Sequence, residues 1–453
     1  MSSEVYSRRG RFWLPNAPDH QVSGAMRFAP PLAGTLVLDG ELLSTPQLEP
    51  AVHGVLLEGQ RVTALDCYPT GTDSYYGEDG RQQQQTVMAQ TFVLDAHLNQ
   101  DARFDRAGVV LSYLDDWTDM DEGWQLGECD DMSGSIAYHG RVARTATLDH
   151  GRRITLKVGS SVEGTARHLV AKQRSSFVVD FGVPVPLVEV ADVAGSLQNL
   201  LTFAARRPSV ILGLEVTSPS ALDSRSGAPR SLTVRSSQVD TDPAGPPFLS
   251  RWDFLFPAPA SDDGFSQLMR RWLALEERLG TALDLFLSLR YAPPKHLESQ
   301  VMTLCQSAEG YHRRTWDEKV MSAEDKSNLK AALTPACPPA WEQRLRSWLD
   351  HVDEPSFKER IERIVGKAGP IGARVTARFS NYPGKLRDYR HMYAHWLAGK
   401  PMSEDDVARV SELHDATRIL LEACLMQDIG IDMDAAARDF EVKRDFRRLT
   451  QRP

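Results

Sequence analysis

The sequence predicts an α+β protein, in which a β-rich domain of sandwich or barrel type over residues 1–250 precedes an all-α helical bundle over residues 251–453. Two patterns predict this division. Short apolar runs bounded by Gly, Asp or Asn recur in the first part, which is typical of strands in all-β domains. Longer stretches with apolar residues three and four positions apart follow residue 250, which is typical of packed helices.

Eight short runs carry the β signal. They are rich in β-branched and large aliphatic residues and end in turn-forming residues. The runs cover residues 34–42, 53–68, 86–98, 107–114, 152–158, 175–182, 209–216 and 230–237. One helix is predicted among them, over residues 192–207, because Leu197, Leu200, Leu201 and Ala204 share one helical face. Residues 240–248 read as a linker, since prolines and a glycine resist both helix and strand.

The second half predicts about six helices joined by short polar loops, which is the pattern of a helical bundle. They cover residues 264–294, 296–314, 339–352, 354–369, a segment around 387–396, and 403–430. Ser403 is a typical N-cap of the last helix, and Gly430 a typical stop. "GKAGPIGAR" (residues 366–374) has the glycines of a phosphate-binding loop but no G-K-[ST], so it is interpreted as a loop that ends a helix.

Composition restricts the classes of function. The net charge is −9, so no general basic field attracts nucleic acid, and any site for a polyanion must be local. Five scattered cysteines without a C-x-x-C pair predict neither a zinc ribbon nor a disulfide framework. The N-terminus lacks the apolar core of a signal peptide, and the apolar runs are too short to span a membrane. These features predict a cytoplasmic protein with no membrane partner.

Two patterns suggest metal sites weakly. The acidic stretch at residues 115–132 lacks the spacing of a calcium loop, and a solvated acidic loop is favoured. Glu309 and His312 form a single E-x-x-H, whereas di-iron bundles need two such pairs and two further glutamates. A Glu and a His on a helix surface are therefore favoured, and we expect no metal and no cofactor.

The stretch "RDYRHMYAHW" (residues 387–396) is the main functional candidate. Pro383 and Gly384 precede it and Gly399 follows it, as helix start and stop signals do. An apolar stripe is predicted at Leu386, Tyr389, Tyr393, Trp396 and Leu397. The opposite side is cationic or titratable and carries Arg387, Arg390, His391 and His395.

Two kinds of chemistry are open to that side. His391 and His395 are four residues apart and could bind zinc, but Met392 stands where a metallohydrolase helix carries its general base. Alternatively, Arg390 could stabilise a phosphoryl group while His395 moves protons during RNA cleavage, because an unperturbed histidine side chain has a pKa of roughly 6.5. Because Arg and His five residues apart are common by chance, a basic face that packs on the β-rich domain is favoured on the motif alone.

The wider context changes this weighting. "RHMYAH", with Arg390, polar His391 and His395 late in a helical domain, resembles the R-x(4–6)-H motif of the HEPN superfamily. A β-rich domain before such a bundle resembles the ApeA-type HEPN proteins of bacterial anti-phage defence. The stretches that carry this likeness include "GTLVLDGELLS", "FDRAGVVLSYLDDWT", "LQNLLTFAARRPSVILGLEV", "ALEERLGTALDLFLSL" and "LRDYRHMYAH".

The resemblance implies a metal-independent endoribonuclease that acts in abortive infection. It would cut RNA, with tRNA among the candidate substrates, by 2′-OH attack that leaves a 2′,3′-cyclic phosphate. Arg390, His395 and His391 would be catalytic, and Arg387 and Lys385 would bind RNA. HEPN domains typically pair, so a homodimer or higher homo-oligomer is expected, with the N-terminal domain sensing a phage-derived trigger. The alternative is a non-catalytic HEPN dimerisation module whose β domain binds a ligand or protein.

Overall fold

The structure is a computed structural model, and it describes most of the chain. The described residues are 6–28, 33–43, 47–77, 80–118, 124–126, 136–138, 143–165, 168–223, 225–239, 247–394 and 403–451. The chain divides into two compact units, Met1–Arg270 and Arg271–Pro453. The first is rich in strands and the second is helical, so the predicted α+β class is confirmed.

Six strands of the first unit close into an antiparallel barrel. They are β1 (Tyr6–Trp13), β2 (Val22–Phe28), β3 (Gly34–Leu38), β4 (Glu49–Leu56), β5 (Arg61–Gly77) and β6 (Gly80–Leu94). The strand order is β6-β3-β2-β1-β4-β5, and β5 pairs with β6 to complete the ring. Alternate residues point inward: Val22, Gly24, Met26 and Phe28 of β2 are buried and form part of the barrel interior. The sequence left sandwich and barrel open, and this part of the unit is a barrel.

A second group of strands continues the sheet from the barrel. It contains β7 (Phe104–Leu111), helix α1 (Leu114–Thr118), β8 (Trp124–Leu126), β9 (Ile136–Tyr138), β10 (Arg144–Thr147), β11 (Arg153–Thr165), β12 (His168–Val185), helix α2 (Leu187–Ala205), β13 (Ile211–Leu222) and β14 (Pro229–Ser236). Six of these strands follow the order β10-β11-β12-β7-β13-β14, and β14 pairs with β6. β8 and β9 pair only with each other among the described strands.

Helix α2 and helix α1 bear on two expectations from the sequence. The predicted α2 face is confirmed, since Leu197, Leu200, Leu201 and Ala204 are all buried. The acidic stretch at 115–132 begins in α1 rather than in a loop. There Asp115 accepts a hydrogen bond from the backbone of Ser175. Most of the remaining stretch, like most of the predicted linker at 240–248, lies outside the described residues.

The two units divide 20 residues after the boundary placed at residue 250, counting from 250 to 270. The intervening segment packs into the first unit. The backbone N–H of Leu255 donates to the carbonyl of Ala204 at 2.7 Å, and the indole of Trp117 donates to the carbonyl of Phe256 at 3.0 Å. The ring of Phe265 stacks on Phe177 at 6.5 Å between centroids. The part of the next helix from Asp262 to Arg270 therefore belongs to the β-rich unit.

The described residues of the rest of the chain form helices joined by loops. The helices are α3 (Asp262–Leu279), α4 (Thr281–Tyr291), α5 (Leu297–Thr315), α6 (Ala323–Leu333), α7 (Glu342–Asp350), α8 (Phe357–Lys367), α9 (Gly369–Thr376), α10 (Tyr382–Ala394), α11 (Glu404–Asp428), α12 (Met433–Phe440) and α13 (Arg444–Thr450). Short 3₁₀ helices lie at Asp149–Gly151, Arg251–Asp253 and Pro339–Trp341. This exceeds the six helices predicted, because α6, α9, α12 and α13 were not predicted and the first predicted helix is divided into α3 and α4.

Two glycines lie at junctions between helices that the sequence did not predict. Gly280 has φ +47° and separates α3 from α4, so the stretch predicted as one helix over 264–294 is two. Gly369 has φ +56° and lies just after the end of α8, and Pro370 occupies the first turn of α9. "GKAGPIGAR" is therefore a junction between two helices rather than a terminal loop.

Over the part of the chain that the structure describes, no helix combines the length and apolar character needed to cross a bilayer.

Candidate functional site: the polar face of helix α10

Helix α10 begins at a side-chain cap. Asn381 precedes the helix, and its Oδ1 accepts a hydrogen bond from the backbone N–H of Gly384 at 3.1 Å. Its carbonyl accepts from Lys385 at 3.0 Å, as the first helical bond. A Cβ at position 384 would lie 2.2 Å from the amide of Asn381, so glycine leaves the room that this cap needs. Residues 382–384 thus start the helix as the sequence predicted, one residue earlier than Pro383.

The apolar face of α10 anchors it in the bundle. Leu386 and Tyr389 are buried, and the ring of half-buried Tyr393 stacks on Tyr389 at 5.9 Å. The Tyr382 hydroxyl lies 2.8 Å from the hydroxyl of Thr417 on α11. The predicted stripe is confirmed over these residues, whereas Trp396 and Leu397 lie outside the described residues. Packing of this face fixes which side chains face outward.

The outward face carries most of the predicted site. Lys385, Arg387 and His391 are exposed, and Arg390 is half-buried. Arg387 donates to Asp388 Oδ1 from Nε at 2.9 Å and from Nη2 at 2.6 Å. Lys385 lies 5.9 Å from the centroid of the Phe379 ring. These residues form a mixed but mainly cationic surface on one helix.

Arg390 differs from its neighbours because two other helices hold it. Its Nη2 donates to Glu309 Oε2 of α5 at 2.9 Å. Its guanidinium carbon lies 4.7 Å from the centroid of the Phe357 ring, at the start of α8. An ion pair at the edge and a ring contact therefore restrain the guanidinium, while its side chain stays 36% exposed.

Glu309 belongs to a chain of charged groups on α5 and α8. Arg313 lies 3.4 Å from Glu309, and its other terminal nitrogen lies 2.7 Å from Glu354. Glu354 also pairs at 3.1 Å with Arg360, whose side chain is almost fully buried. Arg360 Nε donates to the carbonyl of Pro355 at 3.0 Å. These contacts tie the loop before α8 to the turn of α5 that carries Glu309.

Burial is the main cause that shifts the pKa of two nearby ionisable groups toward their neutral forms. His312 is buried, with Nδ1 3.3 Å from Arg360 Nη1, and burial together with that arginine lowers the pKa of the imidazole. Burial raises the pKa of the Cys305 thiol to about 12. His312 is therefore not the surface histidine that the sequence predicted. Neither group presents a reactive base or thiolate at the α10 surface.

The structure places Lys385, Arg387, Arg390 and His391 on α10, but His395 lies outside the described residues. The arrangement of the Arg390–His395 pair and of the alternative His391–His395 zinc pair is therefore not described. Sequence reasoning missed the two groups that hold Arg390. Glu309 was noticed only for its spacing to His312, and it is 81 residues from Arg390.

Across the described ranges, no group of three or more His, Cys, Asp or Glu side chains is arranged to hold a metal ion. Glu309 faces Arg390 and His312 faces Arg360, so the two do not converge on one point as an E-x-x-H site requires.

Comparison with known families adds independent information on both units. The family model described as ApeA N-terminal domain 1 matches residues 7–272, and the model described as Apea-like HEPN matches residues 302–435. The second match contains the whole "RHMYAH" motif together with Glu309 and Phe357. Searches of the curated proteins and of the solved structures found no match.

Proposed function

The chain belongs to the ApeA-like HEPN family, and from this premise we propose that it is a metal-independent RNA endonuclease of anti-phage defence. One observation carries the proposal: the segment of HEPN type keeps Arg390, His391 and His395, and its arginine is a restrained, partly exposed cation. A guanidinium held in this way suits the charge that develops on a phosphoryl group.

The proposed reaction needs only side chains. His395, as the neutral imidazole, takes the proton of the ribose 2′-OH, and the 2′ oxygen attacks the adjacent phosphorus. Arg390 stabilises the negative charge on the non-bridging oxygens. The bond from phosphorus to the 5′ oxygen then breaks, and an imidazolium gives its proton to that oxygen. The products are a 2′,3′-cyclic phosphate and a free 5′-OH, and DNA is spared because it lacks the 2′-OH.

A homodimer or higher homo-oligomer through the HEPN domain supplies the second proton-transfer group in this proposal. In a pair related by a two-fold axis, His395 of one protomer acts as base and His395 of the partner subunit acts as acid. Two copies of the α10 surface also explain how a chain of net charge −9 binds RNA locally. His391 orients Arg390 or contacts phosphate, and Lys385 and Arg387 bind flanking phosphates.

The β-rich unit is proposed as the sensor or restraint that responds to a phage-derived trigger. Support comes from the family order, in which a domain of the ApeA N-terminal type precedes the HEPN segment. The proposed setting is the cytoplasm of a bacterial cell, where both RNA and an infecting phage are present. The substrate is RNA, with tRNA among the candidates.

The test compares RNA cleavage by wild type, Arg390→Ala and His395→Ala in excess EDTA, with end-group analysis of the products. We expect cleavage by wild type alone, ending in 2′,3′-cyclic phosphate. Arg409→Ala is the matched control, because this α11 arginine is 74% exposed and pairs only distantly with Asp406, at 3.8 Å. Thermal unfolding of each variant shows whether lost cleavage reflects lost folding.

Two outcomes contradict the proposal. Cleavage that EDTA abolishes requires a metal ion and returns the His391–His395 zinc pair to consideration. If the wild-type protein cleaves no RNA, either as purified protein or in extracts of phage-challenged cells, the chain is not a ribonuclease. If the His395→Ala variant still protects cells from phage, the same conclusion follows.

One observation favours a second function, that of a non-catalytic HEPN dimerisation module with a ligand-binding β domain. The Arg390–Glu309 ion pair satisfies part of the arginine inside the chain, as a purely structural residue would be satisfied. In that case Arg390→Ala weakens folding or dimerisation, measured by unfolding and light scattering, and wild type cleaves no RNA. Activity in wild type rejects this alternative.

A further inference from the structure

Arg390 is restrained by groups that the R-x(4–6)-H motif does not contain. Glu309 Oε2 accepts from Arg390 Nη2 at 2.9 Å, and the Phe357 ring lies 4.7 Å from the guanidinium carbon. Glu309 comes from the middle of α5 and Phe357 from the first turn of α8. Three separate helices therefore meet at one guanidinium.

The restraint leaves part of the arginine available. A guanidinium has five N–H donors in a rigid plane, and the Glu309 contact uses a single terminal nitrogen. Among the described residues, Glu309 provides the one hydrogen-bond acceptor recorded for Arg390. The side chain is 36% exposed, so the remaining edge can meet a phosphate that arrives from solvent. This geometry differs from that of Arg387, which directs two of its nitrogens at Asp388.

Glu309 is itself fixed in position. Arg313 lies one turn further along α5 and contacts it at 3.4 Å. The next residue, Gly310, lets α5 approach α4 closely, because a Cβ there would lie 2.8 Å from the Cβ of Ala282. The carboxylate therefore stands on a turn whose place in the bundle is set by tight helix–helix packing.

Phe357 is fixed at the other side. Ser356 caps α8 with a capping box, in which its backbone N–H donates to Glu359 at 2.7 Å and its hydroxyl accepts from the N–H of Glu359 at 3.4 Å. The buried Arg360 binds both Glu354 and the carbonyl of Pro355 just before this cap. The ring that covers Arg390 is therefore held by local hydrogen bonds that do not involve α10.

We propose that Glu309 is a positioning residue for Arg390, which orients the guanidinium toward the scissile phosphate before the substrate binds. This inference rests on the proposed function. Glu309 lies behind the arginine and acts through it, so the carboxylate does not itself touch the reacting atoms. The effect of Glu309 is preorganisation. Because the guanidinium is already in place, no free energy is needed to reorient it as negative charge develops on the phosphoryl oxygens.

The test measures kcat and KM for RNA cleavage by Glu309→Ala and Glu309→Gln under the conditions in which wild type cleaves. We expect Glu309→Ala to lower kcat about ten- to a hundredfold, as displacements of about 1 Å in an active site do, with KM within about twofold. Glu309→Gln keeps an oxygen acceptor at the same distance and recovers part of the loss. A merely structural role would not produce a kcat effect that the glutamine rescues.

The control is Glu362→Ala. Glu362 is an exposed α8 carboxylate paired with Lys358 at 3.5 Å, so its loss removes the same chemical group without touching Arg390. We expect wild-type kcat from this variant. Thermal unfolding accompanies each assay, and if Glu309→Ala is poorly folded, the isosteric Glu309→Gln decides.

The outcomes separate this inference from the proposed function. Wild-type kcat in Glu309→Ala, while Arg390→Ala is inactive, overturns the positioning role and leaves the ribonuclease intact. Faster cleavage by Glu309→Ala also overturns it, because the ion pair would then restrain the enzyme. If wild type cleaves no RNA, or if Arg390→Ala and His395→Ala cleave as wild type does, the proposed function fails and this inference fails with it.

Discussion

At the scale of single residues, Arg390 shows how one side chain acquires a special environment on an otherwise ordinary surface. Its helix neighbours Arg387 and Asp388 satisfy each other, and each is more than half exposed. Exposed pairs of this kind contribute little to stability, since solvent screens them and two flexible side chains must be ordered. Arg390 instead contacts a carboxylate and an aromatic ring from two other helices. Contacts within those helices fix both groups in position. Its position is thus a property of the bundle.

The neighbouring cations give a prediction on RNA affinity. If Lys385 and Arg387 bind phosphates, each substitution to Ala should reduce the slope of log K against log salt by about 0.7 for single-stranded RNA. Asp388→Asn should raise affinity, because it frees the Arg387 guanidinium from its carboxylate partner. The measurement is equilibrium binding over a salt series, in a His395→Ala background that leaves the RNA uncut.

Arg346→Ala is the control for that series. Arg346 is an exposed α7 arginine that pairs with Glu342 of the same helix, as Arg387 pairs with its neighbour. An unchanged slope is expected there. Equal losses from Arg346→Ala and Arg387→Ala would show that the effect is general electrostatics and that the α10 surface is not a specific RNA site.

At the scale of elements, helices of this bundle differ in what holds them. The long helix α11 is largely buried, whereas α6 has no buried residue among its described positions. Charge holds α6 instead: Lys326 donates to Asp353 at 2.6 Å and to the carbonyl of Asp350 at 2.7 Å. Lys319 also pairs with Asp353, at 3.0 Å. An element held mainly by ion pairs should open more readily than one held by apolar packing.

Asp353 therefore gives a pH prediction for α6. The hydrogen bonds from Lys326 and then Lys319 lower the pKa of its carboxyl to about 2, from an ordinary value of 3.8. The folded pKa lies below the unfolded one, so the stabilisation is complete above pH 3.8 and disappears as pH falls through 2. Amide exchange in α6, corrected for its intrinsic rate, should accelerate over that window while exchange in the buried half of α11 does not.

Substitution provides the same test at neutral pH. Asp353→Asn should speed amide exchange in α6, because the lysines lose a charged acceptor. Asp350→Asn is the matched control, since that carboxylate is 60% exposed and lies 3.4 Å from Lys330. If both variants change amide exchange in α6 equally, or if neither changes it, the ion pairs of Asp353 are not what holds this helix in place.

At the scale of the whole molecule, the chain is two compact units whose boundary follows packing rather than composition. The turn-rich sequence near residue 245 predicts a linker, but Phe254, Leu255, Phe256 and Phe265 are buried in the first unit beyond it. The family match to the N-terminal domain also extends to residue 272. The first unit thus closes its core with residues that come after the apparent linker.

A pair of fragments tests this boundary. Residues 1–270 should fold as a stable unit, whereas residues 1–250 should unfold at lower temperature or aggregate. The shorter fragment exposes the surface that Phe256 and Phe265 cover, and each buried aromatic of this size contributes about 2 kcal/mol by transfer. The measurement is thermal unfolding of both fragments by circular dichroism. Equal stability would place the boundary at residue 250 after all.

The sequence by itself determined the class of each unit and much of the candidate site. Periods of two and of three to four residues follow directly from backbone geometry, so they report strands and helices locally. The same reasoning identified the buried face of α10 through Leu386 and Tyr389, and hence the outward face of Arg387, Arg390 and His391. The break at Gly280 was visible as a glycine, but apolar periodicity on both sides of it suggested one helix, whereas near Gly369 the sequence predicted the end of a helix and missed the helix that follows.

Tertiary structure decided which distant residues meet. The pairing of β3 with β6 in the barrel, the packing of Phe265 on Phe177, and the contact of Glu309 with Arg390 each join separate segments. No local period encodes such a contact, because it depends on how whole elements pack after they form. The sequence therefore supplied the chemistry of the α10 surface, and only the packing of α5 and α8 against α10 supplied the partners that orient it.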